Sequence, residues 1–113
     1  MHEVSIAENI LQIVEDTASA NHLGRVVHVT LEIGQFSGVE PDLLRFAFEV
    51  IGKGTLMQDS EIEIITPPLL LYCHTCETEY LGELDDLRCP ACLGEQFDVL
   101  QGREMLVRSI TGS

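Results

Sequence analysis

The stretch that decides the fold is Cys73-His74-Thr75-Cys76, followed after twelve residues by Cys89-Pro90-Ala91-Cys92. These two Cys-x-x-Cys pairs hold all four cysteines of the 113-residue chain. Two residues between cysteines let one tight turn direct both sulfurs at a single point, and a second turn completes a tetrahedron. Because Zn²⁺ readily accepts four thiolates in that geometry, the spacing predicts a closed, structural four-cysteine zinc site made of Cys73, Cys76, Cys89 and Cys92.

Two other interpretations compete for these cysteines. Two disulfides would require an oxidising compartment, and the sequence carries no secretory signal. A thioredoxin-like redox pair would place one Cys-x-x-Cys at a helix N-terminus near a βαβ unit, which two equivalent pairs fit poorly. A zinc ribbon is the favoured interpretation, although a ribbon is a scaffold and does not by itself define a function. Gly94, shortly after Cys92, can take the left-handed conformation that closes such a turn.

The segments before the cysteines alternate between helical and extended patterns. Ser5-Ile6-Ala7-Glu8 has the form of a capping box, which predicts a helix from Ile6 to about residue 21. Residues 25–34 alternate as a strand, with one apolar side formed by Val27, Val29, Leu31 and Ile33. Pro41 is suited to the first position of a second helix, which Gly52 ends. Residues 61–64 then predict a second strand.

The predicted fold class is α+β, with two helices and a roughly three-stranded mixed sheet. Because a helix separates the first two strands, they are expected to run parallel. Residues 97–100 resume extended structure after the cysteines, and residues 104–110 form the closing strand. We therefore predict a base domain at residues 1–68 and 97–113, with an inserted zinc-binding domain at residues 69–96 that needs its metal to fold.

The charge balance and the distribution of apolar residues argue against binding to nucleic acid or to a membrane. The chain has six Lys and Arg against nineteen Asp and Glu, a net charge of −13. Nucleic-acid binding draws most of its affinity from cationic side chains on phosphates, so it is not expected. The sequence has no apolar run near eighteen residues and no leader-like start, which predicts a cytoplasmic protein without membrane attachment.

A second metal site is conceivable at the start of the chain. A metal there could bind the α-amine of Met1, the deprotonated amide nitrogen of His2 and a nitrogen of the His2 ring. Three nitrogen donors near one plane favour Ni(II) or Cu(II) over tetrahedral Zn²⁺, and the backbone of Glu3 or a nearby carboxylate could add a fourth donor. On the residues alone, a solvated terminal histidine is the simpler interpretation.

The chain resembles the hydrogenase-maturation nickel-chaperone family, HypA/HybF, over essentially its whole length. The resemblance depends on several motifs in order: Met1-His2-Glu3, residues 33–39, Phe46-Ala47-Phe48-Glu49, Gly54-Thr55, the two cysteine pairs and Gly102-Arg103-Glu104-Met105. It implies a nickel-binding α+β base, a rubredoxin-like zinc domain held by the four cysteines, and delivery of Ni(II) to the large subunit of [NiFe] hydrogenase with the maturation GTPase HypB as partner.

The resemblance also implies roles for individual residues. His2 would be the essential nickel ligand, helped by the Met1 amine and the Glu3 backbone, with the Glu40 carboxylate as a further contributor. The sequence itself leaves the oligomeric state open, and our expectation is a monomer or a weak homodimer. No Ser/His/Asp set, phosphate-binding loop or pair of catalytic carboxylates is apparent, so an enzyme is not expected. The competing hypotheses are a zinc-ribbon interaction module without a nickel role and a dithiol redox enzyme.

Overall fold

The computed structural model describes residues 3–113, and Met1 and His2 lie outside the described residues. The elements in chain order are α1 (Glu3–Ala20), β1 (Val26–Ile33), α2 (Pro41–Ile51), β2 (Glu61–Ile65), β3 (Leu70–Cys73), β4 (Thr78–Leu81), β5 (Phe97–Gln101) and β6 (Met105–Gly112). Within residues 3–113 the strands form two three-stranded sheets, which we call the helix-covered sheet (β2-β1-β6) and the cysteine sheet (β4-β3-β5).

The helix-covered sheet confirms the predicted α+β class and the mixed strand directions. β1 runs parallel to β2 and antiparallel to β6. The two helices and β1 contribute most of one apolar cluster. Buried side chains recur every three or four residues along the helices and roughly every second residue along β1, so each element has one face in the core. The buried members of this cluster are Ile6, Ala7, Ile10, Val14, Ala18, Val26, Val29, Leu31, Ile33, Leu44, Ala47, Phe48 and Met57.

β1 departs from the predicted alternation near its first residues. Val26 is fully buried whereas Val27 is about half exposed, so the prediction that Val27 faces the core is wrong. The pairing with β6 shifts register between Val26 and His28. A bulge of this kind adds one residue to a strand and reverses which neighbours face the core.

The two helices begin differently from each other. α1 already includes Glu3, so Ser5 lies inside the helix and the predicted capping-box start at Ile6 is wrong. α2 begins at Pro41 as predicted. Its N-cap is Glu40, whose backbone is extended and whose carboxylate accepts the amide of Asp42 at 3.4 Å.

The structure differs from the predicted boundaries after the cysteines. β5 does not join the base; it pairs antiparallel with β3, with Cys73 opposite Phe97 and Leu71 opposite Val99. Phe97 and Val99 pack on the apolar cluster of the cysteine sheet, and this burial stabilises the pairing of β5 with β3. The division into base and inserted domain stays a prediction, and this pairing assigns residues 97–101 to the cysteine sheet.

Two glycines meet where the chain passes between the sheets. The amide of Gly34 donates to the carbonyl of Glu104 at 2.8 Å, and the amide of Phe36 donates to the carbonyl of Gly102 at 2.6 Å. A Cβ on Gly34 would overlap with the Gly102 carbonyl, and one on Gly102 would lie 2.6 Å from Leu69 Cδ1. Glycine is therefore required at position 34 by close backbone approach, and at position 102 by its positive φ of 148°.

No helix within residues 3–113 has the length and apolar character needed to cross a bilayer.

Candidate metal centre

The four cysteine sulfurs converge at one end of the cysteine sheet. All four Sγ atoms lie within 4.8 Å of one another, with 3.6 Å between Cys73 and Cys92 and 3.5 Å between Cys76 and Cys89. A zinc tetrahedron with Zn–S bonds of ~2.3 Å has S···S edges of about 3.8 Å. The arrangement therefore fits a single four-coordinate Zn²⁺ held by these four residues.

The two cysteine turns share one backbone conformation. The residue after each second cysteine has a positive φ, 57° at Glu77 and 60° at Leu93. Gly94, which the sequence suggested for this conformation, does not take it, and Leu93 does so instead. Gly94 serves in another way: its amide donates to Cys92 Sγ at 3.4 Å, and a Cβ there would lie 3.1 Å from that sulfur.

Backbone amides lower the pKa of two of the four cysteine thiols. The amide of Cys76 donates to the Cys73 sulfur and is the main reason that the pKa of Cys73 falls to about 6, against the opposing effect of desolvation. The amide of Cys92 does the same for Cys89 and lowers its pKa. Hydrogen bonds to the charged form of an acid favour ionisation, so both first cysteines are disposed to bind a cation.

The fourth sulfur behaves in the opposite way. The Gly94 amide acts to lower the pKa of Cys92, but the neighbouring thiols of Cys73, Cys89 and Cys76, together with desolvation, raise it to about 12. Four thiolates at these distances repel one another unless a cation lies between them. The donor set therefore fits a divalent metal, and metal binding must displace the Cys92 proton.

Two supporting residues were missed by the sequence analysis. The hydroxyl of Thr78 lies 3.1 Å from Cys76 Sγ, and the buried Tyr80 donates its hydroxyl to the carbonyl of Leu87 at 2.6 Å. Tyr80 packs in the same cluster as Cys73 and Cys89, and burial, followed by these thiols, raises its pKa. Thr78 could have been recognised as the hydroxyl two residues after a ligand, whereas nothing in the sequence marks Leu87 as the partner of Tyr80.

The remaining predicted residues belong to other elements. Met1 and His2 lie outside the described residues, so the geometry of the predicted nickel site is not described. Glu3 is half buried in the first described turn of α1, and Glu40 is exposed at the N-cap of α2. His74 lies inside the first cysteine turn, with its Nε2 atom 3.0 Å from Asp98 Oδ2.

The fold and the site together define a small α+β protein with a four-cysteine ribbon of the zinc-binding type. The family described as "Hydrogenase/urease nickel incorporation, metallochaperone, hypA" matches residues 1–112. Two proteins called hydrogenase maturation factor HypA are similar along 111 residues, with 97% of both chains covered in each case. The one from Dechloromonas aromatica is 43% identical, and the one from Albidiferax ferrireducens is 41% identical.

Solved structures agree with the sequence comparisons. The solution structure of the Ni metallochaperone HypA from Helicobacter pylori has a TM-score of 0.70 at 26% identity, covering 99% of this chain and 97% of that one. A second solution structure of a HypA protein has a TM-score of 0.72 at 25% identity, with 100% and 97% covered. The chain belongs to the HypA family of nickel metallochaperones for hydrogenase maturation.

Proposed function

We propose that this protein carries Ni(II) as transient cargo for the maturation of [NiFe] hydrogenase and uses its four-cysteine zinc site only as a structural element. The observation that supports this most strongly is the extent of the family match, which runs from residue 1 to residue 112 and so includes both the Met1-His2-Glu3 start and the two cysteine pairs.

The cysteine geometry supports a separate place for the cargo. A Zn²⁺ held by Cys73, Cys76, Cys89 and Cys92 has all four coordination positions filled by protein, which is typical of structural zinc. Such a site binds tightly and has no open position through which an ion could be handed on. Nickel therefore needs another set of donors in the same chain.

That second set is proposed to be the start of the chain. The Met1 amine, the His2 amide and the His2 ring would supply three nitrogens, with the Glu3 backbone and the Glu40 carboxylate as auxiliary donors. α1 extends back to Glu3, so residue 2 adjoins a helix that is packed through Ile6 and Ala7. An amine with an ordinary pKa of roughly 7.7–8.0 must lose its proton to bind, so nickel affinity should weaken as the pH falls.

The finer assignments follow the family. We propose that nickel passes to the hydrogenase large subunit, that the GTPase HypB is a partner, and that the protein acts in the cytoplasm as a monomer or weak homodimer. Four cysteines whose chemistry depends on remaining thiolates suit a reducing compartment.

The test is a nickel titration of the untagged, zinc-loaded protein with metal analysis and absorption spectra. We expect one zinc and one additional nickel per chain. His2→Ala, or two extra residues ahead of Met1, should abolish the added nickel and leave the zinc. His22→Asn is the matched control, since it removes an exposed imidazole elsewhere on the protein. Asn tolerates the backbone φ of 58° at this position.

Two outcomes would contradict the proposal. Unchanged nickel binding in the extended protein would reject the terminal site. One bound ion per chain in every titration, with added nickel only competing for the cysteines, would leave a zinc-ribbon interaction module without a nickel role.

A further inference from the structure

The second helix carries an apolar surface that the fold does not use. Leu43, Phe46 and Val50 are 54%, 63% and 55% exposed, although the same helix buries Leu44, Ala47 and Phe48 in the core. At 3.6 residues per turn, the three exposed side chains lie within about 60° of one another around the helix. We call Leu43, Phe46 and Val50 the α2 ridge.

The ridge is a continuous feature, unlike other exposed apolar residues on the helices. On α1, Val4 and Ile13 are each 49% exposed, but nine residues apart they lie on opposite sides of the helix. Single exposed apolar side chains are ordinary, whereas a contiguous stripe marks an interaction site. The i, i+3, i+7 spacing of the ridge is the pattern by which one helix packs against another.

The charges beside the ridge restrict what can cover it. Asp42 and Glu49 are both exposed and lie on the same side of α2, just beyond Phe46. The nearby cation on the helix, Arg45, donates to the carbonyl of Ile62 and is engaged with β2. Within α2 the open flank of the ridge is therefore acidic, and the exposed Lys53 follows only after the helix has ended at its C-cap, Gly52.

A second copy of this chain is a poor occupant. Each chain has a net charge of −13. A two-fold interface across the ridge would bring Asp42 and Glu49 against their own counterparts, and like charges opposed in this way disfavour association. The complementary partner has apolar side chains at helical spacing and cations beside them.

We infer that the α2 ridge is a docking surface for a cationic amphipathic helix of a partner protein, with Phe46 as the central apolar contact and Asp42 and Glu49 pairing with Lys or Arg. Buried aromatic contacts carry much of the energy of such interfaces, and charges at the rim govern specificity and association rate. The inference goes beyond the proposed nickel-carrier function and does not depend on it.

The test uses the full-length, zinc-loaded, ¹⁵N-labelled protein and two synthetic helical peptides. Both peptides have Leu at i, i+3 and i+7; one has Lys at the flanking positions and the other has Glu there. We expect the Lys peptide to bind, to shift amide signals of residues 42–53, and to lose affinity with added salt. The Glu peptide should not bind.

Matched variants identify the contacts. Phe46→Ala should weaken binding of the Lys peptide by about tenfold or more. Leu43→Ala should also weaken binding, whereas Leu84→Ala should not, although Leu84 is 55% exposed and so nearly identical in exposure to Leu43. Glu49→Lys should weaken binding of the Lys peptide, with Glu8→Lys on α1 as its control.

The outcomes are distinguishable from those of the nickel experiment, since Phe46→Ala should keep the nickel and zinc stoichiometry of the parent protein. Binding of neither peptide overturns the inference. Equal binding of both peptides overturns the assignment of a cationic partner. A dimer in sedimentation that Phe46→Ala dissociates would make a second copy the occupant and likewise overturn it.

Discussion

The helix-covered sheet and the cysteine sheet have the same number of strands within residues 3–113 but are held together by different means. Thirteen buried residues line the cluster under the helices, and they come from both helices, β1 and the following loops. The cluster of the cysteine sheet has five, two of which are the ligands Cys73 and Cys89. We therefore expect apolar burial to be sufficient for folding of the first sheet, and the second sheet to require a metal.

Zinc removal should have the largest effect, and it should divide the molecule. Structural Zn²⁺ contributes roughly 10–16 kcal/mol to the folding of small metal-held domains. Chelation, or Cys73→Ser, should therefore unfold the cysteine sheet and leave the helix-covered sheet folded. Amide spectra should lose dispersion for residues 70–101 and keep it for residues 26–33. Ala91→Ser, in the second cysteine turn, is the control, and simultaneous collapse of both sheets would contradict this division.

A change at the crossing should weaken the link between the two sheets. Gly34→Ala places a methyl group against the Gly102 carbonyl, and such overpacking costs about 1–3 kcal/mol in unfolding free energy. Gly24→Ala is the matched control, since nothing lies within 4 Å of a Cβ there. Urea unfolding of the zinc-loaded proteins measures both, and equal midpoints would show that the crossing tolerates movement.

The pH dependence of zinc binding should change slope near the pKa of Cys73. At pH 7 without metal, Cys73, with a pKa of about 6, is ionised, whereas Cys92, with a pKa of about 12, holds its proton. Zinc must displace that proton, so affinity falls as the pH falls.

Below about pH 6, Cys73 also becomes protonated in the metal-free protein and must release a second proton to bind. The plot of log affinity against pH should therefore steepen by about one unit there. Chelator competition from about pH 5 to about pH 8 measures the slope, and a constant slope would show that the two sulfurs do not differ as described.

The smallest effect is expected from Tyr80→Phe. This change removes the hydroxyl that donates to the Leu87 carbonyl and keeps the buried ring, so it should cost about 1 kcal/mol. The loss of stability should be confined to the cysteine sheet and be visible as faster amide exchange there. Tyr72→Phe, on the other face of β3, is the control. Equal exchange rates in the two variants would show that the Tyr80 hydroxyl does not stabilise the cysteine sheet.

Features of the structure were predicted best from the sequence where residue type and spacing leave few alternatives. The four cysteines, the start of α2 at Pro41 and the mixed three-stranded sheet were all recognisable, since spacing and residue type alone restrict the alternatives. The start of α1 was not, because a capping box describes local hydrogen bonding and says nothing about helix that continues before it.

Long-range pairing and backbone bulges account for the other differences. Whether residues 97–101 pair with β1 or with β3 depends on where Phe97 and Val99 find apolar neighbours, which lie far away in the sequence. The exposure of Val27 depends on a register shift against β6. The positive φ of Leu93 in place of Gly94 reflects the metal-binding turn, whose geometry overrides the ordinary preference for glycine.

The register of the helix-covered sheet has a consequence for how such a protein can be rebuilt. Glu32 pairs with Ile65 at the end of β2, and Ile33 pairs with Met105 at the start of β6, so the chain leaves and re-enters at the same end of β1. The two ends are separated by two strand spacings, about 10 Å. We therefore expect that the segment between them, residues 66–104, can change in length without reordering the strands beneath the helices.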